Sequence, residues 1–529
     1  MKLSRLLFLM VALLTVASVG QALENIHFNN DLQLGYNSIT GDGKDNSSLS
    51  KGYRYLDMLN INGNGKLGGG YEYQYLGGFK FTDDIRNDVK NVSLTNLQAR
   101  VSNNIHTYTG GDILEYYSQY TMNSALKGVS YRYTDANSLL QNVGLFWGMA
   151  YPRWDSLAGA DDVKTIRRHA MGATIRHTFG PEFTAGFSLI GAYDQFSTRV
   201  VDTDPAYSNG VYAVDAEYNP LPGLMLNSEL ALSNAHIKAK DVATDARSGS
   251  AFKIGAMGTG GPSRVTAEFE RVSTKFVTLL GAATPDREKF KTQWRYNYDK
   301  DITTRVGLLW YCNNLDSTLA DTTNSTRPEL GLTVRNLFMR STATGDITYQ
   351  LFHQTTGAVK TNDNIINGNY RDRFGEFDTD TNLGYTKYNT ETNIQDTSEI
   401  TFNTMIGTQY NLQDMTLRPN VSLGIWNMSD DLISKSNSIL EYAIGSALEI
   451  PAQNIVAHVR LGQNQLTNGV SSEDADKFFF SGDAYYRPEF LNQIRGTMFV
   501  KVFVNSYSYT TTTNNFRETG FLTGLSTQF

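Results

Sequence analysis

Seven histidines occur in the chain, His27, His106, His169, His177, His236, His353 and His458. No two of them stand at a metal-ligand spacing such as H-E-x-x-H. The single cysteine, Cys312, excludes an internal disulfide, a four-cysteine zinc site and a C-x-x-C-H haem attachment. The string GNGKLG, with Gly63, Gly65 and Gly68, matches the dinucleotide fingerprint in form. It leads into the alternating run YEYQY and opens no helix, so a tight turn is expected there. No P-loop, G-x-S-x-G elbow or EF-hand string is present. These residues point to no enzyme and no bound cofactor, and the weight shifts to the elements that carry them.

The N-terminus, MKLSRLLFLMVALLTVASVGQA, has Lys2 and Arg5 ahead of an apolar run from Leu6 to Val19, with small residues at Gly20 and Ala22. This is the tripartite pattern of a secretory signal peptide over residues 1–22, with cleavage expected after Ala22. Its apolar core is too short for the roughly 20 residues that a spanning helix needs, and no later window is long enough either. A formal net charge of -7 gives no footprint for nucleic acid. Residues 23–529 therefore read as one exported unit.

Period-two alternation runs through that unit. In FKTQWRYNY, Phe290, Thr292, Trp294 and Tyr296 share one face, and Lys291, Gln293, Arg295 and Asn297 the other. Val456, His458 and Arg460 oppose Ala457, Val459 and Leu461; Lys501 opposes Val500 and Val502. Arg132 alternates with Tyr131 and Tyr133, and Glu217 with Ala216 and Tyr218. Such strands suit a sheet that is wet on one side and apolar on the other. Cys312 shares the parity of Val306, Leu308 and Trp310, which makes it an inert packing residue.

Short turn signals alternate with longer polar excursions along the whole length. Their count predicts an all-β fold: a single large antiparallel transmembrane β-barrel of about 24 strands, within 22 to 26, with short periplasmic turns and long extracellular loops. The 27 Phe, 30 Tyr and 5 Trp then read as girdles at the two lipid interfaces. Parity assigns Arg132, Lys291, Arg295, Arg305, His458, Arg460, Lys501, Glu217 and Glu268 to the lumen. The longest excursion, 357–396, contains NYRDRFGEFDTDTN. It reads as a loop that folds inward and constricts the pore through Arg371, Arg373, Glu376 and Asp378. A calcium site at Asp378 and Asp380, or a plain solvated loop, are the other readings of it.

The final run FLTGLSTQF alternates Phe521, Leu525 and Phe529 with Gly524, Ser526 and Gln528. Together with the leader it resembles the closing strand of Gram-negative outer-membrane β-barrel proteins of the porin-like kind. The resemblance implies that Phe529 is the signal read by the barrel-assembly machinery, and that the chain sits in the outer membrane against lipid. It also implies a channel function, with the pore narrowed by inward-folded loops. The alternative is a scaffold barrel that sleeves a periplasmic or surface partner, such as a multihaem cytochrome or lipoprotein in a porin–cytochrome conduit. A usher or a receptor with a plug domain is disfavoured, since the first strand begins near Asn25.

Overall fold

The computed structural model describes residues 25–138, 140–150, 153–154, 166–198, 201, 204–239, 244–391, 394–469 and 473–529. The leader expected over residues 1–22 lies outside them. Each strand pairs antiparallel with its neighbour in sequence, and the first, Ile26–Thr40, pairs with the last, Phe516–Gln528. The sheet thus closes into a barrel of 26 strands with no free edge. A short segment, Tyr410–Leu412, continues Asp396–Thr408 past a break and pairs with the same partner, Met415–Asp430. At the closure Leu32 lies opposite Leu525 and Tyr36 opposite Phe521. Phe529 exchanges backbone hydrogen bonds of 2.6 and 3.0 Å with Phe28, and the two rings stack with centroids 5.2 Å apart.

The barrel stands at the upper end of the predicted 22 to 26 strands, two above the central number, and both come from the segment read as a constricting loop. Residues 359–374 and 377–390 are paired strands, Val359–Phe374 and Phe377–Thr390. Arg371, Arg373 and Asp378 sit in that ladder, and Glu376 sits in the two-residue turn that joins them. The turn begins at Gly375 with φ +61°, the positive value that primed hairpin turns require. Alternation was hidden because the outer-face positions toward the far end are polar, Asn362 and Asn364. The two strands are 16 and 14 residues long.

Register divides every strand into two faces. On one lie Trp147, Leu189, Leu230, Trp294, Val421 and Ile444, large apolar side chains left open to the surroundings. That is the surface a bilayer would cover, since hydrocarbon replaces water there at no cost to apolar groups. The opposite face is mostly polar and charged. One seam differs from the rest: Val92–Ser102 and His106–Tyr116 pair only over 98–102 with 107–111. Beyond that the two strands separate, and the Asp112 carboxylate bridges the gap. It accepts from the Leu97 amide at 2.6 Å, the Trp154 indole at 2.8 Å and the Lys127 ammonium at 2.8 Å.

Candidate functional site: the lumen wall

The polar face is the inside of the barrel, and cross-strand register places its charges in pairs. Arg132 meets Glu115 at 3.1 Å, Arg305 meets Glu329 at 2.8 Å and Arg460 meets Glu441 at 2.5 Å. Glu217 lies 3.8 Å from Arg176, whose other amino group holds Asp215 at 3.1 Å. Glu268 stands opposite Lys291 in register, but Lys289 takes its carboxylate at 3.2 Å. Lys501 stands opposite Asp483 and lies over the rings of Tyr485 and Phe499. Arg295 stands opposite another cation, Arg305, on one side and Arg264 on the other. All nine residues assigned to the lumen from parity thus share the polar face.

His458 Nδ1 lies 2.8 Å from Asp483, the base-and-orienter half of a triad. Among the described residues no hydroxyl or thiol bonds its second ring nitrogen, and both side chains are open to the lumen. Arg371 and Arg373 also face inward, where they pair with Asp380 at 2.9 Å and Asp378 at 3.6 Å. The two carboxylates proposed for calcium are therefore engaged with guanidiniums across one hairpin. No cluster of three metal-ligating side chains occurs among the described residues. Cys312 is on the outer face, half-buried opposite Glu288 and Asn324.

Loops do enter the barrel, but they are 117–122 and 273–286. The second crosses the inner wall like a strap. Val277 N donates to Ser233 Oγ at 3.0 Å, and Asn209 brackets the next turn, donating to Val277 O at 2.9 Å and accepting from Leu279 N at 3.2 Å. Arg168 then donates to Leu279 O at 3.3 Å, and Leu280 O accepts from Ser124 Oγ and Asn123 N, each at 2.8 Å. The path runs back from the strand Ser263–Val272 to the strand Asn123–Thr134. The loop 117–122 locks over it: Ala282 N donates to Gln119 O at 2.8 Å, and the Tyr120 hydroxyl and Gln119 amide both donate to Glu270.

Two apolar clusters anchor the strap. Tyr120 and Phe276 meet edge to face with centroids 6.0 Å apart, over Val211, Ala213, Ala231, Ala251 and Val272. Met122 and Leu280 pack with Ile113, Leu126, Phe146 and Ile190. Small alanines on the wall make room for the strap, and its own polar backbone is satisfied by wall side chains, which is what allows a loop to be buried. Burial, and then the adjacent Glu270 carboxylate, push the Tyr120 phenol far above its ordinary range, so it remains a donor. Sequence reasoning passed over these residues. The signal was present as the apolar run FVTLL, 276–280, inside an excursion read as polar.

Phe479, Phe499 and Phe503 lie flat over Gly462, Gly524 and Gly520, where any Cβ would strike the rings. Glycine covered by a cross-strand aromatic keeps the strand twisted while the ring stays against the wall.

No family model matches the sequence, and no curated protein is significantly similar to it. Among solved structures the chain is similar to the translocation pore of the P pilus usher PapC, with TM-score 0.39 and 10% identity over 95% of this chain and 99% of that one. It is similar to the siderophore receptor PirA from Pseudomonas aeruginosa, with TM-score 0.43 and 10% identity over 96% and 80%. A third is OccK5 (OpdH) from Pseudomonas aeruginosa, with TM-score 0.34 and 12% identity over 69% and 99%.

Proposed function

We infer that this chain is an outer-membrane β-barrel that gives passage across that membrane, and that the passage is made through a partner protein held in the lumen. The observation that carries this is closure at 26 strands. Strands ~4.8 Å apart and tilted about 40° then enclose a circular section roughly 50 Å across, or about 40 Å once side chains are subtracted. A folded domain of ~100 residues, with a radius of gyration near 13 Å, has a diameter of about 34 Å and fits such a sleeve. The strap adds only one layer to one wall. The paired charges of the wall suit contact with another protein surface. A multihaem cytochrome is the partner that the porin–cytochrome resemblance implies, with all haem ligation left to the partner.

A second reading is a porin whose pore is narrowed by inward-folded loops, and the strap of 117–122 and 273–286 favours it. The two separate on purification under mild detergent from native outer membranes. A sleeve brings down a second protein in equal amount, protected from protease until the barrel unfolds, with haem absorbance if it is a cytochrome. A porin comes down alone and conducts, and its current changes when the strap is cut.

A further inference from the structure

At the end of the barrel where Ile26 begins the first strand and Gln528 ends the last, three arginines stand side by side across three strands. Arg264 lies opposite Arg295, and Arg295 opposite Arg305, in direct cross-strand register on the inner face. Like charges directly opposed in a sheet destabilise it, so such a row needs an offsetting interaction. With Arg335 they line an inward-facing cavity of about 430 Å³ that also holds Thr303 and Thr333. Two carboxylates engage this group: Glu329, which binds Arg305 at 2.8 Å, and Asp346, which accepts from Thr333 at 2.6 Å.

The other guanidiniums have weak or neutral partners: Met257 Sδ at 3.3 Å for Arg264, Asn297 Oδ1 at 3.4 Å for Arg295, and the Lys300 carbonyl at 3.0 Å for Arg335. Among the described residues none of these three has a carboxylate in ion-pair range. Gly331 completes the cavity, because a Cβ there would press on the Arg305 guanidinium, at 3.3 to 3.5 Å.

We propose that Arg264, Arg295, Arg305 and Arg335 form a binding site on the lumen wall for a doubly charged oxyanion group, a phosphoryl group or paired carboxylates. Of the four guanidiniums only Arg305 is in an ion pair among the described residues, so the others are left to meet a dianion. The planar forks offer the bidentate hydrogen bonds that such groups take from arginine. The site stands whether the lumen is open or occupied. The anion comes either from a free solute or from the acidic surface of a lumen protein.

The test uses the detergent-solubilised barrel, with inorganic pyrophosphate and succinate as probes in equilibrium dialysis and thermal unfolding. Wild type is expected to bind saturably, less tightly at high salt, and to unfold at higher temperature with the probe present. The R264Q/R295Q variant should bind at least tenfold more weakly, and should unfold at higher temperature than wild type when no anion is present. R132Q, which removes a cation already paired with Glu115, should bind as wild type does. If R264Q/R295Q fails to fold, as read by its heat-modifiable mobility on a gel, R295K carries the test: it keeps the charge, loses the fork and should bind several-fold more weakly.

Probe binding places the source in free solute. If neither probe binds, but R264Q/R295Q in low salt loses a protein that copurifies with wild type, the source is that protein's carboxylates. Unchanged affinity in the variants, or absence of both probe binding and variant-sensitive copurification, overturns the site.

Discussion

Replacing Phe276 by alanine isolates the strap from the wall that it covers. Phe276 is 1% exposed and its ring meets Tyr120 edge to face inside a cluster of wall alanines and valines. Truncating a buried phenylalanine costs about 3 to 5 kcal/mol, including roughly 0.5 to 1.5 for the lost aromatic pair. The barrel ladder contributes none of these contacts beyond the wall side chains, so the loss falls on docking of 273–286 and leaves strand pairing intact. Every 1.4 kcal/mol is tenfold in an opening equilibrium, so strap amides should exchange roughly 10² to 4 × 10³ times faster. Hydrogen exchange on the reconstituted barrel reads this directly. The amides of Val277, Leu279 and Ala282, which donate to Ser233, Asn209 and Gln119, should lose protection, while Val211 and Ala231 in the wall keep theirs. Equal protection in the variant, or loss across wall and strap together, would refute a strap docked as a separate unit.

Other outcomes follow from single contacts. Asp112→Ala removes the carboxylate that bridges the short-paired seam, so protection at Leu97 should fall while 98–102 stays protected, as read by the same exchange experiment. Deleting Phe529 removes the stack on Phe28 and both backbone bonds at the closure; a lower yield of heat-modifiable barrel is expected on refolding. Asp88, in the loop 83–91, is pushed up by burial but pulled further down by hydrogen bonds from Arg153 and Lys80, and ends well below the ordinary carboxylate range. A carboxylate lowered on folding stabilises above its unfolded value of about 3.9 and loses that contribution only as pH falls through the lower folded value. Limited proteolysis at 83–91 should therefore be unchanged from neutral pH to about pH 4 in wild type, and faster throughout in Asp88→Asn.

The alternation of single strands was legible in the sequence because each residue answers to one solvent on each side. Phe290, Trp294 and Tyr296 against Lys291, Gln293 and Arg295 specify both the strand and its inward face, and register in the barrel follows from that parity. The hairpin of 359–390 was not legible, because Asn362, Asn364 and Lys387 replace the apolar set on the outer face and leave only Ile366, Tyr370, Leu383 and Tyr385 to mark it. The strap was obscured for a different reason. Its apolar residues Phe276, Val277, Leu279 and Leu280 have no period of their own, and their partners Asn209, Ser233 and Arg168 lie between 44 and 111 residues away. The arginine row needs three registers at once, so no local reading of Arg264, Arg295 and Arg305 shows that they meet.

Single-channel conductance of the barrel purified without any other protein tests the wide lumen most directly. A lumen built around an occupant should give, in the same salt, a larger unit conductance than a porin of 16 to 18 strands, and adding back the copurifying protein should close it. A unit conductance at or below that of an ordinary porin, unchanged by other outer-membrane proteins, would contradict the sleeve.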